Sequence, residues 1–410
     1  MCKMMIKKKI GQLGEVVGGA TPNTKDSALW GGDIAWITPK DLAGFRGRFI
    51  TSGQRSLTRE GFESCSATLL PQGSVLFSSR APIGYVSIAA GPLCTNQGFK
   101  SIVPNESIDN LFLYYLMRHM SDAIAARGSG TTFKEVSGKT LSDFEVEIPN
   151  SIEEQRVIAG IFGSLDSKIE LNSRINDHLE KLLLSQYDAM FDVGETAKSR
   201  GRLSDIGTIV GGATPSKKKL EDYFCTDGIG WITPRDLANT DNKFIAHGAL
   251  DITREGFDSC SVKALPAGSV LFSSRAPIGY IAIASDELTT NQGFKSIVPR
   301  AEIGTAFTYC LLVRNKQRIA DAGSGTTFPE VSANTMANIE ISLPSESLCQ
   351  EFSSWAQPVL KLQSRIEEES QLLRIARDAL LPRLMSGEVD VSRIDLRQLN
   401  GHLFAGSSVF

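Results

Sequence analysis

Short apolar runs recur along the chain between glycine and proline residues. The runs "IAWIT", "SVLFSS" and "GYVSIA" are rich in β-branched and aromatic residues, so they predict strands. The longer apolar stretch "NLFLYYLMRHMSDAIAA" (residues 110–126) predicts a helix that ends at Arg127 and Gly128. Because such strands and helices mix within each half of the chain, the pattern predicts α/β (or α+β) domains.

Two further stretches predict long helices, each entered from a strand through a proline, with Ser151 and Ser345 as candidate caps. Their apolar residues are spaced three and four apart, as in a coiled-coil seam. The seam positions are Leu165, Ile169, Ile175 and Leu179 on the first helix and Val359, Leu362, Ile366 and Leu373 on the second. We expect the two helices to pack against each other. The alternative is that each helix packs on its own domain. Pro358 predicts a kink or a restart near the beginning of the second helix.

The chain is a tandem duplication. Residues 57–104 and 252–299 are identical at 36 of 48 aligned positions, and both contain "GSVLFSSRAPIGY". Upstream, "GGATP" and "WITPKDL" recur as "GGATP" and "WITPRDL"; downstream, "GSGTTFKEVS" recurs as "GSGTTFPEVS". The period is too long for a solenoid, so the repeat predicts two whole domains.

These patterns predict six segments. Two repeated domains cover residues 1–150 and 203–345, each followed by a long helix at 151–192 and 346–386. A polar linker occupies residues 193–202, and a tail occupies residues 387–410.

Composition narrows the class of protein. Hydrophobic residues make up 41% and charged residues 22% of the chain, as in ordinary soluble proteins, and no run of about twenty apolar residues predicts a membrane span. The seven cysteines form no CxxC pair, which favours the reducing cytoplasm and argues against a metal site. A net charge of −3 argues mildly against non-specific nucleic-acid binding, but it allows a local positive face.

A search for catalytic residues finds little. No GxGxxG follows a strand, "GSGTTF" lacks the lysine of a phosphate-binding loop, and none of the four histidines recurs at an equivalent position. The repeated carboxylates Asp41 and Asp236 are single and lie beside basic residues. We therefore expect no catalytic site, cofactor or metal in this chain.

Polar and basic residues recur instead in matched pairs at strand ends and in loops. Lysine, arginine, serine and threonine reach phosphates, arginine reads guanine, and asparagine and glutamine read adenine. The candidate DNA contacts are Thr38, Lys40, Asp41, Arg59, Arg80, Asn96, Gln97, Lys100, Thr131 and Thr132 in the first copy, and Thr233, Arg235, Asp236, Arg254, Arg275, Asn291, Gln292, Lys295, Thr326 and Thr327 in the second. The alternative for each is structural: the arginine pairs with Asp41, and the amides cap turns.

The motifs "GSVLFSSRAPIGY", "TNQGFKSIVP" and "SGTTFKEVS", with the helix "IPNSIEEQRVIAGIFGSLDSKIELNSRINDHLEKL", resemble specificity subunits of type I restriction–modification systems. The resemblance extends from about Gly11 to about Ser386. It implies two target-recognition domains separated by two long antiparallel helices and related by a pseudo-twofold axis. Each domain would read one half of a bipartite site in the major groove of double-stranded DNA.

The resemblance also implies partners. Two methyltransferase subunits dock on the helices and supply the S-adenosylmethionine chemistry, and motor–nuclease subunits join for cleavage. The chain itself would be non-catalytic, in keeping with the absence of an "NPPY"-type motif. One alternative is the recognition subunit of a type II enzyme that cuts on both sides of its site; another is a scaffold that binds only protein.

One feature departs from the family pattern. Here the recognition domains are near copies, whereas the second helix keeps only Gln350 of the "EEQ" motif. This predicts half-sites that are similar and inverted, giving an almost palindromic interrupted target. The copies differ most at residues 43–56 and 238–251, where Arg46 and Arg55 have no basic counterpart. Any asymmetry between the half-sites should arise there.

Overall fold

The computed structural model describes residues 5–130, 134–191, 199–325 and 329–391. The chain divides into two compact units, one formed by Met1–Leu171 with Ser370–Phe410 and the other by Asn172–Glu369. Each unit combines one copy of the repeat with part of each long helix. The units therefore differ from the predicted division, which gave each long helix a segment of its own.

The first unit contains the three strands that the apolar runs predict, among several others. Its strands are β1 (Met5–Lys9), β2 (Gly14–Gly18), β3 (Trp30–Ile37), β4 (Phe49–Ile50), β5 (Arg55–Leu57), β6 (Val75–Ser79), β7 (Ile83–Ala89), β8 (Cys94–Thr95), β9 (Lys100–Pro104) and β10 (Glu145–Pro149). Its helices are α1 (Ile10–Leu13), α2 (Pro39–Leu42), α3 (Arg59–Glu63), α4 (Asn110–His119), α5 (Ser121–Ala126), α6 (Gly138–Ser142) and the first half of α7 (Ile152–Phe191). The strands predicted from "IAWIT", "SVLFSS" and "GYVSIA" are confirmed as β3, β6 and β7.

The main sheet of this unit has the strand order β2-β9-β6-β7-β4, and a smaller sheet has the order β5-β3-β8. Strand β6 is buried along its whole length because both faces of the main sheet are covered. Phe77 of β6 packs in one core with Phe112 of α4 and Phe162 of α7, whereas Leu76 packs in a second core on the other face. The first long helix is thus part of the domain core.

The second unit repeats the main sheet, but its smaller sheet is divided into two pairs of strands. Its strands are β11 (Ser199–Arg202), β12 (Gly207–Gly211), β13 (Phe224–Cys225), β14 (Gly230–Ile232), β15 (Phe244–Ile245), β16 (Asp251–Ile252), β17 (Val270–Ser274), β18 (Ile278–Ala284), β19 (Leu288–Thr290), β20 (Lys295–Pro299) and β21 (Glu340–Leu343). Its helices are α8 (Leu203–Ile206), α9 (Leu220–Tyr223), α10 (Pro234–Ala238), α11 (Arg254–Asp258), α12 (Thr305–Asp321), α13 (Ala333–Ala337) and the first part of α14 (Glu346–Met385). The main sheet has the order β12-β20-β17-β18-β15, strand for strand as in the first unit, and the two pairs are β13-β16 and β14-β19.

Three local expectations need correction. The helix predicted over residues 110–126 is broken at Met120 into α4 and α5, whereas its counterpart α12 is continuous. Residues 199–202, assigned to the polar linker, form β11 and pair with β21, because an edge strand needs only its backbone to pair. Val391, in the predicted tail, is buried in the first unit's core, and residues 392–410 lie outside the described residues.

The two long helices are confirmed, each with 40 residues. In the second unit the Asn172 amide donates to Glu369 (2.8 Å), and Asn176 donates to the carbonyl of Gln363 (3.5 Å). Residue numbers rise along α7 while those of their α14 partners fall, so the helices run antiparallel in this unit. In the first unit Arg377 Nη1 of α14 lies 2.7 Å from Asp166 Oδ1 of α7. Polar contacts thus join the helices within each unit.

The predicted seam is only partly correct. Ile366 is buried, but the side chain of Leu362 is 46% exposed, so that position is wrong. Leu165 and Val359 pack on the domain cores, as the alternative proposed. Apolar spacing identifies the stripe on a helix, but it does not identify the element that covers the stripe.

Helix α14 continues through Pro358, so the expected restart is wrong. Phe352 and Ala356, which precede the proline by less than two turns, are fully buried in the core of the second unit. Their burial holds the helix in place despite the loss of one backbone hydrogen bond.

Candidate nucleic-acid interface

The turn after β6 carries Arg80, and buried serines hold it. The Ser78 hydroxyl donates to the carbonyl of Pro82 (2.8 Å) and accepts from the Tyr85 amide (2.8 Å). The Ser79 hydroxyl donates to the carbonyl of Gly98 (3.1 Å). The repeated "FSS" therefore ties the end of β6 to two neighbouring turns.

The second unit repeats these bonds. Ser273 donates to the carbonyl of Pro277 (2.8 Å), and Ser274 donates to that of Gly293 (3.1 Å). The turn that carries Arg275 is thus held in the same way as the turn that carries Arg80.

Two cations share one carboxylate beside this turn. Arg80 Nη1 lies 3.5 Å from Glu135 Oε2, and Lys100 Nζ lies 3.5 Å from Glu135 Oε1. The amide of Val136 donates to the carbonyl of Ser79 (3.0 Å), which brings Glu135 to the end of β6. We call Arg80, Lys100 and Glu135 the basic cluster of the first domain. The structural alternative that paired the arginine with Asp41 is wrong.

The second domain has the matching basic cluster of Arg275, Lys295 and Glu330. Arg275 Nη1 lies 3.5 Å from Glu330 Oε2, and Lys295 Nζ lies 3.3 Å from Glu330 Oε1. Each cluster sums to one positive charge and is partly exposed, although the whole chain is slightly acidic. The glutamates were missing from the sequence candidates, although the repeated "EVS" contained them.

Thr38 and Asp41 form the cap of α2. One oxygen of Asp41 accepts from the Thr38 amide (2.7 Å) and hydroxyl (2.6 Å), and the other accepts from the Gln54 amide (2.8 Å). A carboxylate used in this way positions the backbone and is not directed to a ligand. Lys40 is exposed on the same short helix. Thr38 and Asp41 therefore have a structural role, and Lys40 remains a candidate contact.

The second copy keeps this cap. Asp236 accepts from the Thr233 amide (2.7 Å), the Thr233 hydroxyl (2.6 Å) and the Ala249 amide (2.9 Å). Arg235 is exposed on α10, where it takes the place of Lys40.

The turn after β8 brings two further candidates to this surface. Asn96 Oδ1 accepts from the Gly98 amide (2.9 Å), so the asparagine stabilises its turn, as the structural alternative proposed. Gln97 is exposed beside it and hydrogen-bonds Thr21. A Cβ added to Gly98 would lie 3.0 Å from Pro39 Cγ, so this turn lies against the start of α2.

Asn291 and Gln292 repeat the pattern. Asn291 Oδ1 accepts from the Gly293 amide (2.8 Å), and Gln292 hydrogen-bonds Thr214. In each domain the end of the central strand, the turn that carries the glutamine and the start of the capped helix thus lie side by side, and these segments carry the basic cluster, the exposed glutamine and the exposed cation. We call this region the recognition surface.

The remaining candidates lie elsewhere or cannot be described. Arg59 lies on α3, where it pairs with Glu63 at 2.6 Å and its side chain is 86% exposed. Its counterpart Arg254 pairs with Asp258 on α11 at 3.1 Å. The candidates outside the described residues are Thr131, Thr132, Thr326 and Thr327.

Neither a membrane span nor a metal site is found in the part of the chain that the structure describes. No helix there is long and apolar enough to cross a bilayer. No group of three or more histidine, cysteine, aspartate or glutamate side chains there is arranged to hold a metal ion.

Comparison with known proteins decides the family. The family model described as the type I restriction modification DNA specificity domain matches residues 3–181 and again residues 198–369. The chain belongs to this family. The resemblance seen in the repeated motifs is confirmed, and each half of the chain matches the specificity domain once.

Two named specificity subunits are similar to this chain, in agreement with the family match. The chain is 32% identical to the type I restriction enzyme MjaIX specificity subunit of Methanocaldococcus jannaschii, over 94% of each chain. It is 26% identical to the type I restriction enzyme HindI specificity subunit of Haemophilus influenzae, over 71% of this chain and 80% of the relative. Both relatives carry type I names, so the comparisons do not favour the type II alternative.

A solved structure supports the fold. The crystal structure of the type I restriction–modification system S subunit from M. genitalium matches with a TM-score of 0.59 at 16% identity, over 93% of this chain and 96% of that one. The predicted class of tandem α/β domains with two long helices is confirmed.

A buried cation missed by the sequence analysis joins the first domain of this specificity-family chain to α7. Arg48 is 8% exposed and donates to the Gly163 carbonyl (3.0 Å), the Ser167 hydroxyl (2.7 Å) and Glu170 Oε1 (3.2 Å). The position is basic in both copies, which was the one signal in the sequence.

In the second domain Lys243 has the same role. Its ammonium group bonds the Glu180 carboxylate of α7 and donates to Gln363 Oε1 of α14 (2.7 Å). Each recognition domain is therefore anchored to a long helix through a buried charge.

Proposed function

We propose that the chain is the DNA specificity subunit of a type I restriction–modification enzyme. Each domain reads one half of a bipartite site in double-stranded DNA. The observation that carries this proposal is one basic cluster, Arg80 with Lys100 and Arg275 with Lys295, repeated at matched places in two domains of one chain. Lysine and arginine bind phosphates, and arginine also reads the guanine edge, so two such surfaces suit two half-sites.

The shared glutamate positions the two cations of each cluster and lowers the net charge of the cluster. Glu135 holds Arg80 and Lys100 in place before DNA arrives, and it cancels one of their two charges. A phosphate must compete with this carboxylate, so affinity for arbitrary DNA stays low. Affinity for the target then depends on contacts to base edges, which differ between sequences.

The two half-sites are similar. The recognition surfaces carry the same arginine, lysine and glutamine at matched positions and differ in the cation of the capped helix, Lys40 in one and Arg235 in the other, so the two domains present largely the same donors and acceptors. We propose that the half-sites are inverted relative to each other, as the family resemblance implies, and that the target is an almost palindromic interrupted sequence.

The methyl transfer and the cleavage belong to partner subunits. The carboxylates Asp41, Glu135 and their counterparts serve in a cap or an ion pair, and the sequence offers no methyltransferase motif. Two methyltransferase subunits dock on the long helices, and motor–nuclease subunits join them.

Exposed apolar side chains on these helices support docking. In the first unit Leu171, Leu372 and Ile375 are exposed, and in the second Leu182 and Leu362 are exposed. Leu372 and Ile375 lie three residues apart and so share one helix face. Apolar patches of this kind mark protein interfaces. The double substitution Leu372→Glu with Ile375→Glu should prevent co-purification of the methyltransferase, whereas Lys7→Ala on β1 should not.

A footprint tests the DNA-reading proposal. We expect the complex with methyltransferase subunits to protect two separate tracts of its target from hydroxyl radicals. Arg80→Ala should weaken protection of one tract, and Arg275→Ala should weaken protection of the other. A single continuous tract, or two substitutions that weaken the same tract, would contradict the proposal.

A further inference from the structure

One loop has the same frame in both domains but different side chains. The loop at residues 51–54 is fixed to the cap of α2 by the bond from the Gln54 amide to Asp41 (2.8 Å). Its counterpart at residues 246–249 is fixed to α10 by the bond from the Ala249 amide to Asp236 (2.9 Å). We call these the variable loops, each taken with the residue that follows it, Arg55 in the first domain and Leu250 in the second.

A glycine keeps each variable loop close to the sheet. A Cβ added to Gly53 would lie 2.6 Å from the Trp36 carbonyl oxygen, and one added to Gly248 would lie 2.5 Å from that of Trp231. Backbone contact this close leaves no room for a side chain. The backbone frame is therefore kept while the side chains around it differ, with Arg55 in the first copy and Leu250 at the equivalent position of the second.

In the first domain the variable loop presents an oriented arginine. The guanidinium carbon of Arg55 lies 3.3 Å from the centroid of the Trp30 ring. Trp36 packs edge-on against that ring, with centroids 4.9 Å apart, and its Nε1 donates to the Ala20 carbonyl (3.0 Å). The described residues place no carboxylate within ion-pair distance of Arg55. Stacking thus orients the planar group and leaves its N–H edge for an outside partner.

In the second domain the variable loop presents an oriented histidine instead. His247 Nδ1 lies 2.6 Å from Asp251 Oδ2, and Asp251 is 1% exposed while the His247 side chain is 57% exposed. The buried carboxylate therefore fixes the ring through one nitrogen. Because Nδ1 is engaged by Asp251, Nε2 is the ring nitrogen available to hydrogen-bond an outside partner.

Both variable loops adjoin the recognition surface. Arg55 of β5 pairs with Trp36 of β3, and β3 also pairs with β8, which leads into the turn of Asn96 and Gln97. In the second domain the strand that carries Trp231 pairs with β19, which leads into Asn291. The variable loops are thus additions to the surface that already carries the exposed glutamines.

We propose that Arg55 and His247 are the residues that make the two half-sites differ. Arg55 donates to O6 and N7 of a guanine in one half-site. His247 hydrogen-bonds through Nε2 to a base edge in the other. The inference rests on the proposed function, because it assigns bases to a surface that must first bind DNA.

Methylation mapping with matched variants tests this assignment. The chain is produced with its methyltransferase subunits as wild type, Arg55→Leu, His247→Ser and Lys7→Leu. Arg55→Leu introduces the residue found at the equivalent position of the second copy, and His247→Ser introduces the one found in the first copy (Ser52). Lys7→Leu removes an exposed cation outside the recognition surface. Modified adenines are mapped, and methylation rates are compared on DNA with each base varied.

We expect Arg55→Leu to lose roughly tenfold or more discrimination at one guanine of one half-site. His247→Ser should relax one position of the other half-site, and Lys7→Leu should keep the wild-type motif. The inference is overturned if Arg55→Leu keeps the full motif, if it slows methylation equally on every sequence, or if both variants change the same half-site.

Arg55→Lys covers the case in which Arg55→Leu methylates nothing. Lysine keeps the charge but not the planar two-donor edge, so we expect methylation with the guanine position relaxed. Methylation with the original motif would assign Arg55 to a phosphate and overturn the inference. A wild-type complex without any bipartite motif would instead reject the proposed function itself.

Discussion

The guanidinium of Arg48 lies buried against α7, with its Nε 3.2 Å from Oε1 of Glu170. Removing one partner of a buried pair leaves the other charge without compensation. We expect Arg48→Met to lower the free energy of unfolding of the first unit by about 3 kcal/mol. Urea unfolding followed by hydrogen exchange of the β6 and β7 amides measures this loss.

The matched control is Arg59→Met. The Arg59–Glu63 pair is shorter, at 2.6 Å, but it is exposed, so its loss should change the stability little. The double substitution Arg48→Met with Glu170→Leu should cost less than Arg48→Met alone, since it leaves no orphan charge. Equal losses for Arg48→Met and Arg59→Met would contradict the anchoring role of Arg48.

Glu367 of α14 gives the second unit a pH-dependent anchor. Its two oxygens accept from the backbone amides of Lys243 (3.0 Å) and Phe244 (3.0 Å). Burial raises the pKa of Glu367, although these two amides act to lower it. A carboxyl with a raised native pKa binds its proton more tightly in the folded state. Its contribution to stability therefore falls as the pH rises from the unfolded pKa, about 4.3, through the native value.

Glu367→Gln removes this titration. The urea midpoint of the wild type should therefore fall relative to that of Glu367→Gln as the pH is raised from about 4.5 to 7. Ser364→Ala, an exchange nearby on the same helix that removes no titrating group, is the control and should show no such trend. A wild-type urea midpoint that rises relative to that of Glu367→Gln as the pH increases would contradict this prediction.

The shared glutamates restrain the basic clusters. Glu135→Gln frees Arg80 and Lys100, so we expect tighter binding to non-specific duplex DNA and a steeper salt dependence, by about 0.9 in the logarithmic slope for each additional phosphate that the cluster neutralises. Glu330→Gln should do the same through the second domain. Fluorescence anisotropy against salt concentration measures both effects, and unchanged slopes would show that the clusters face away from DNA.

Much of the fold follows from periodicity and repetition. The strand β6 and the two 40-residue helices were predicted because a buried central strand and a long amphipathic helix leave strong apolar patterns. The exposure of Leu362 was missed because the heptad spacing is the same whether a stripe faces a helix, a domain core or solvent. Strand β11 was missed because polar residues pair at a sheet edge through the backbone alone.

The recognition surface was found only in outline. Arg80 and Lys100 were predicted as candidates because they recur, but their shared partner Glu135 lies 35 residues further along the chain than Lys100. Thr38 and Asp41 also recur, yet they repeat because both copies need the same helix cap. A duplicated residue is therefore either a contact or a support, and only the hydrogen-bond partners distinguish the two. Arg48 was missed for a related reason, since a lone cation becomes buried only when a distant carboxylate meets it.

In the proposed function, one chain carries two base-reading domains and partner subunits perform the methyl transfer. The most direct test maps modified adenines in the genome of cells that produce the chain with its methyltransferase subunits. We expect one interrupted motif, with two similar and inverted half-sites at a fixed spacing, that disappears when this chain is absent. A continuous motif, two unrelated half-sites, or methylation that persists without the chain would contradict this expectation.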